Sequence, residues 1–131
     1  MQIKVGIDTI QINRIEQILE KFGSRFIDKI LHPLEIIAFN ERKVNRASYL
    51  AKRFSAKEAI AKALGVGIGR LLTFEDMIIL NDEFGVPKIT IDDNKIQAII
   101  GSNKRCDIEV SMSDDYPIAT TCAIATIFSQ S

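Results

Sequence analysis

The sequence predicts an α+β fold in which an antiparallel sheet packs against a long central helix. Three observations predict it. An alternating strand pattern opens the chain, helical periodicity fills the rest of the first half, and strand patterns dominate the second half.

Ile3, Val5 and Ile7 alternate with Lys4, Gly6 and Asp8, so residues 3–8 read as a strand. Asp8 falls near its end and faces the opposite way from Ile7. Ile12, Ile15, Ile18, Leu19 and Phe22 follow at helical spacing, and Gly23 is a natural stop. Asn13 and Glu16, three apart, fit a capping box. Residues 25–31 read as a short helix. Pro33 opens another, with Leu34, Ile37 and Ala38 as its apolar stripe.

The longest helix is expected over 46–64, with Ala47, Leu50, Ala51, Phe54, Ala61 and Leu64 on its buried side. Its many alanines favour helix and let a neighbouring backbone approach closely. Gly65, Gly67 and Gly69 end it, with backbone angles closed to other residues. Strands over 77–80 and 88–91 flank a turn at 81–85. Residues 96–100 read as helical. Strands over 108–112 and 118–128 are joined through Ser113, Asp114, Asp115, Tyr116 and Pro117.

Composition narrows the function classes. The chain of 131 residues suits a single domain over 1–131, and 47% hydrophobic with 26% charged residues is an ordinary globular balance. A formal net charge of zero argues against broad electrostatic binding to nucleic acid. No apolar run approaches the roughly 20 residues a membrane span needs, and no apolar leader opens the chain. A cytoplasmic protein is expected. Cys106 and Cys122 lack metal-ligand spacing and are expected to be reduced, mostly buried thiols. His32 is the only histidine, so a His/Cys zinc site lacks its ligands.

The chemistry-bearing residues gather around the long helix. Asp8 and Glu58 are one carboxylate at a strand end and one on that helix. Such a pair suits a hard cation like Mg²⁺, which completes its shell with water and substrate phosphates. Asp8 could equally cap the following turn, and Glu58 could pair with Lys62 at i,i+4 on a wet face. Arg53, Lys57 and Lys62 supply the positive charge a phosphate site needs, or a solvated helix face. Gly65, Gly67 and Gly69 could bring backbone N–H groups to a phosphate, though the pattern is neither a Walker loop nor a dinucleotide fingerprint. Arg14, Lys21 and Arg25 on the first helix could receive an acidic partner, with Glu16, Glu20 and Asp28 interspersed.

Gly6-Ile-Asp8, Arg53-Phe-Ser-Ala-Lys57-Glu58-Ala-Ile-Ala-Lys62-Ala-Leu-Gly65, Gly67-Ile-Gly69-Arg70 and Val110-Ser-Met-Ser113 stand in one order. Over nearly the whole chain they resemble the holo-acyl-carrier-protein synthases, the small phosphopantetheinyl transferases of fatty acid synthesis. The resemblance implies a 4'-phosphopantetheinyl transferase-like fold. It implies transfer of 4'-phosphopantetheine from coenzyme A to a serine of apo acyl carrier protein, with adenosine 3',5'-bisphosphate leaving. It also implies Mg²⁺ held by Asp8 and Glu58, with Glu58 and Lys62 catalytic. Coenzyme A contacts fall to Arg53, Lys62, Gly65 and Gly67, and carrier-protein docking to Arg14, Lys21 and Arg25. A homotrimer with active sites at subunit boundaries is implied as well.

Two positions depart from the family pattern. Ser24 stands where some relatives carry a basic residue. Asp114 stands where the family usually has histidine, in a slightly longer loop. A carboxylate there would bring negative charge near phosphates. That motivates a second reading, a catalytically weak relative that binds coenzyme A or carrier protein without efficient transfer. The intact Asp8, Glu58 and Lys62 argue against it.

Overall fold

In a computed structural model that describes residues 1–129, strand β1 (Gln2–Gln11) crosses helix α4 (Arg46–Leu64) at very close range. Glycine at position 6 permits it. A Cβ there would stand 2.0 Å from the Ala59 carbonyl oxygen and 2.7 Å from the Ala63 nitrogen. The approach is backbone to backbone, so no side chain could move aside to make room.

Helix α4 is the axis of the molecule. Between β1 and α4 lie α1 (Ile12–Phe22), α2 (Ser24–Ile30) and α3 (Pro33–Glu41). After it come β2 (Ile78–Asn81), β3 (Pro87–Thr90), α5 (Asp93–Ile100), β4 (Lys104–Asp115) and β5 (Ile118–Ser129). The main sheet is antiparallel in the order β1-β5-β4, and β2-β3 forms a separate antiparallel hairpin. The α+β class with a long central helix is therefore as expected.

Small side chains let the sheet lie on the helix. Ala119, Thr121, Ala123 and Ala125 of β5 are fully buried or nearly so, on the side that faces α4. Ala56, Ala59, Ile60 and Ala63 of α4 are buried with them, and Leu72, Met77, Ile79 and Ile96 extend that cluster. A second cluster covers the N-terminal part of α4, with Ile12, Ile15, Ile30, Leu31, Phe39 and Leu50. Each fully buried isoleucine or leucine there contributes about 1.5–3 kcal/mol. Because α4 is covered by the sheet on one side and by helices on another, burial runs almost all the way round it.

Several local expectations change. The capping box at Asn13 does not form, because β1 runs directly into α1 and Gln11 is the N-cap without a side-chain bond. The box occurs instead at α3, where His32 Nδ1 accepts from the Leu34 N–H and Glu35 accepts from the His32 N–H. Strand β4 is longer than 108–112, and Asp114 and Asp115 belong to it rather than to a loop. Strand β1 extends past Asp8 to Gln11. Cys106 and Cys122 are free and half-buried.

Lys57, grouped above with the phosphate-facing cations, is fully buried. Its Nζ donates to Glu35 Oε1 at 2.6 Å, to the Ile30 carbonyl at 2.7 Å and to the Phe74 carbonyl at 3.0 Å. Glu35 Oε2 accepts from the Ile79 N–H at 3.1 Å. The pair thus ties α2, α3, α4 and β2 together. Burial holds the lysine below its usual pKa, although Glu35 acts in the opposite direction.

Candidate active site

The close crossing at Gly6 sets the site. Asp8 lies two residues along β1, on the same strand face, and so meets α4 as well. Its Oδ2 accepts from Ser55 Oγ at 2.8 Å and its Oδ1 from Lys62 Nζ at 3.1 Å. Lys62 Nζ also donates to the Ile7 carbonyl at 3.0 Å. Ser55 Oγ lies 2.9 Å from Thr121 Oγ1 of β5, which fixes the serine between two strands. Ser55 and Lys62 share a helix face because seven residues are two turns. The Lys62 side chain remains about half exposed, so the cation can move.

Glu58 stands at the border of two clefts. One, of about 280 Å³, is lined by Asp8, Arg14, Ile18, Phe26 and Phe54 with Glu58. The other, of about 570 Å³, is lined by Asp28, Lys29, Gly69, Phe74 and Glu75 with Glu58. Partial burial raises the Glu58 pKa, the Asp8 charge raises it further, and Lys62 acts against both. The alternative i,i+4 pair between Glu58 and Lys62 does not form, since Lys62 binds Asp8 instead. Two carboxylates therefore stand near each other with one movable cation. Among the described residues, no group of three or more His, Cys, Asp or Glu side chains could hold a metal ion. A pair is enough for Mg²⁺, which keeps waters and takes substrate phosphates as ligands.

Arg53 lies elsewhere. Five residues along a helix turn through about 140° from Glu58, so the two point to different sides of α4. Arg53 lines a separate cleft of about 320 Å³ with Arg42, Tyr49, Lys52, Asn81 and Met112. Arg42 and Arg53 both stack on the Tyr49 ring, at 4.7 and 4.6 Å from its centre. Three cations line this cleft, and it shares no lining residue with the two Glu58 clefts.

The remaining candidates distribute as follows. Arg14 is exposed on the wall of the Asp8–Glu58 cleft. Lys21 and Arg25 are exposed, and Arg25 borders a groove with Ile18, Phe22, Phe26 and Lys29. Gly65, at φ 74°, is the left-handed cap of α4, where glycine carries no steric penalty. Gly67 is exposed with open space around it. The wall of the larger Glu58 cleft is taken by Ile68 and Gly69 instead. Asp114 does not face Asp8 or Glu58. It pairs with Lys52 at 3.0 Å, on the cation-cleft side. Sequence reasoning missed Ser55, Thr121, Arg42, Lys52 and Asn81. Only Ser55 left a signal: it is a hydroxyl inside the motif that carries Glu58 and Lys62, on the helix face of Ala59 and Ala63.

Comparison with known proteins identifies the family of the chain. The model of the 4'-phosphopantetheinyl transferase superfamily matches residues 4–121. The holo-acyl-carrier-protein synthase of Orientia tsutsugamushi is 38% identical over 118 residues, 88% of this chain and 89% of that protein. The chain belongs to the 4'-phosphopantetheinyl transferase superfamily. Within it, two crystal structures are similar over nearly their full length. The holo-acyl-carrier-protein synthase of Neisseria meningitidis gives a TM-score of 0.83 at 32% identity, covering 94% of this chain and 97% of that one. The Helicobacter pylori enzyme, in complex with coenzyme A, gives 0.78 at 32% identity, covering 95% and 99%.

Proposed function

We propose that this chain is a holo-acyl-carrier-protein synthase: it moves 4'-phosphopantetheine from coenzyme A to a serine hydroxyl of apo acyl carrier protein. The observation that carries this reading is the meeting of Asp8, Glu58 and Lys62 at one crossing of strand and helix, in a chain of this family. The serine oxygen attacks the β-phosphorus of coenzyme A. The bond from that phosphorus to the bridging pyrophosphate oxygen breaks, and adenosine 3',5'-bisphosphate leaves.

Asp8 and Glu58 fit Mg²⁺ as a carboxylate pair whose mutual repulsion a divalent cation relieves. When bound, the metal supplies Lewis-acid stabilisation of charge on the pyrophosphate. Glu58 has a raised proton affinity that suits it to accept the serine proton. Ser55 orients Asp8 through the 2.8 Å hydrogen bond. Lys62, held at Asp8 but half exposed, is placed to turn toward a phosphoryl oxygen. Gly65 and Gly67 leave the end of α4 open for backbone contact with the coenzyme.

The cation cleft of Arg42, Lys52 and Arg53 suits the nucleotide end of coenzyme A. It lies on a different side of α4 from Glu58, which favours a coenzyme molecule bound across a subunit boundary. A homotrimer with shared sites supplies that boundary. The outer face of the main sheet supports it: Ile3, Val5, Ile7 and Ile124 are 59%, 56%, 59% and 40% exposed. A contiguous apolar face of this kind marks an interaction surface. Arg14, Lys21 and Arg25, with Ile18 and Phe22 between them, offer a basic and apolar ridge for an acidic helix of the carrier protein. Among the described residues, no helix is long and apolar enough to cross a membrane. We place the activity in the cytoplasm, in one domain spanning 1–131.

Intact-protein mass spectrometry tests the reading. Apo acyl carrier protein incubated with this protein, coenzyme A and Mg²⁺ should gain the mass of one phosphopantetheine. EDTA should suppress the gain. No gain with folded protein and carrier from the same organism would reject the reading.

A further inference from the structure

Asp114 departs from the family pattern, and its position gives it a task. Its Oδ1 lies 3.0 Å from Lys52 Nζ, and about a third of each side chain is exposed. Lys52 is one of the three cations of the Arg53 cleft. Arg53 itself is 3% exposed and has no carboxylate partner among the described residues. Its donors meet Met112 Sδ at 3.4 Å, Tyr49 Oη at 3.3 Å and Asn81 Oδ1 at 3.1 Å, and its buried Nε meets nothing. A buried guanidinium with neutral partners and an unspent donor is prepared for an anion. In the same cleft, Lys52 is already engaged by an anion belonging to the chain.

We propose that Asp114 is an internal counter-ion that competes with a nucleotide phosphate for Lys52, and thereby sets how tightly this protein holds coenzyme A and its nucleotide product. The proposal rests on the coenzyme reading of the cleft given above. The partly exposed ion pair is screened by water and is easily displaced, so the effect is moderate rather than prohibitive. An arriving phosphate meets Arg42 and Arg53 at full charge and Lys52 at a discount. The departing bisphosphate leaves more readily for the same reason, because Asp114 recaptures Lys52.

Calorimetric titration of adenosine 3',5'-bisphosphate tests this. The proteins are the wild type, Asp114→Asn, Lys52→Met and the double variant. Asp114→Asn should bind about three- to tenfold more tightly than wild type, with the gain shrinking at high salt. In the Lys52→Met background, Asp114→Asn should change nothing. Equal affinity of wild type and Asp114→Asn, or a gain that persists without Lys52, would overturn the proposal. If wild type transfers phosphopantetheine and binds the bisphosphate but Asp114→Asn matches it, only this proposal fails. If folded wild type binds no bisphosphate, the coenzyme reading of the cleft fails with it.

Discussion

Glu58 sits where its own charge is disfavoured. Burial and the Asp8 carboxylate raise its pKa above the ordinary value of 4.5. A glutamate raised in the folded state is fully stable below the unfolded-state pKa. Its ionisation costs stability as pH rises through the folded-state value. In EDTA, Glu58→Gln should therefore raise thermal stability at neutral pH, by under about 1 kcal/mol after solvent screening. The advantage should vanish below about pH 4.5. The same variant should lose transfer by at least about a hundredfold. Equal melting curves across pH would remove the strain from the account, and near-wild-type turnover would remove Glu58 from the mechanism. The pairing of Asp8 with Glu58 was legible because both carboxylates lie in motifs of recognisable spacing. Lys62's choice of Asp8 over Glu58 was not, because sequence separation on a helix says nothing of a strand crossing it.

At the scale of elements, α4 carries the fold and the site together. Its bounds at 46 and 64 were readable from its alanines and from Gly65, which ends it in a left-handed cap. Lys57 was misread because helical spacing alone places it beside Arg53. Its actual partner, Glu35, is contributed by α3, twenty-two residues earlier. A lysine in an Ala-rich helix looks like a solvated cation until the elements that bury it are known. Lys57→Met should destabilise the protein by about 3–5 kcal/mol, because Glu35 would remain buried and charged. Adding Glu35→Gln should recover about 1 kcal/mol, since the stranded charge is gone while the amide oxygen still accepts from one of the two N–H groups, those of His32 at Oε1 and Ile79 at Oε2. Urea denaturation of the single and double variants measures this. Equal losses would show that the stranded charge is not the cause. Strand β4 was read short because its polar outer residues, Arg105, Asp107 and Glu109, hid an alternation that starts at Lys104, and because Ser113, Asp114 and Asp115 are all exposed and belong to the strand only through pairing with β5.

At the scale of the whole molecule, a single chain presents two clusters of charged side chains on different sides of one helix. The carboxylates and Lys62 stand at the β1 crossing, and Arg42, Lys52 and Arg53 stand at the β2 end. The family resemblance implied a shared site, whereas periodicity could only show that Arg53 and Glu58 diverge around α4. The exposed apolar sheet face was equally hidden, because β1 alternates whether or not its outer face is covered by solvent. A cyclic head-to-tail assembly lets each boundary join the carboxylates of one protomer to the cations of the next. Subunit mixing tests that claim most directly. Glu58→Gln and Arg53→Met chains, each inactive or nearly so alone, would be co-refolded in equal amounts and assayed by carrier-protein mass. Bridging sites should restore about a quarter of wild-type transfer, the fraction of random boundaries that carry both native residues. Activity no greater than the mean of the two separate variants would contradict a site shared between protomers.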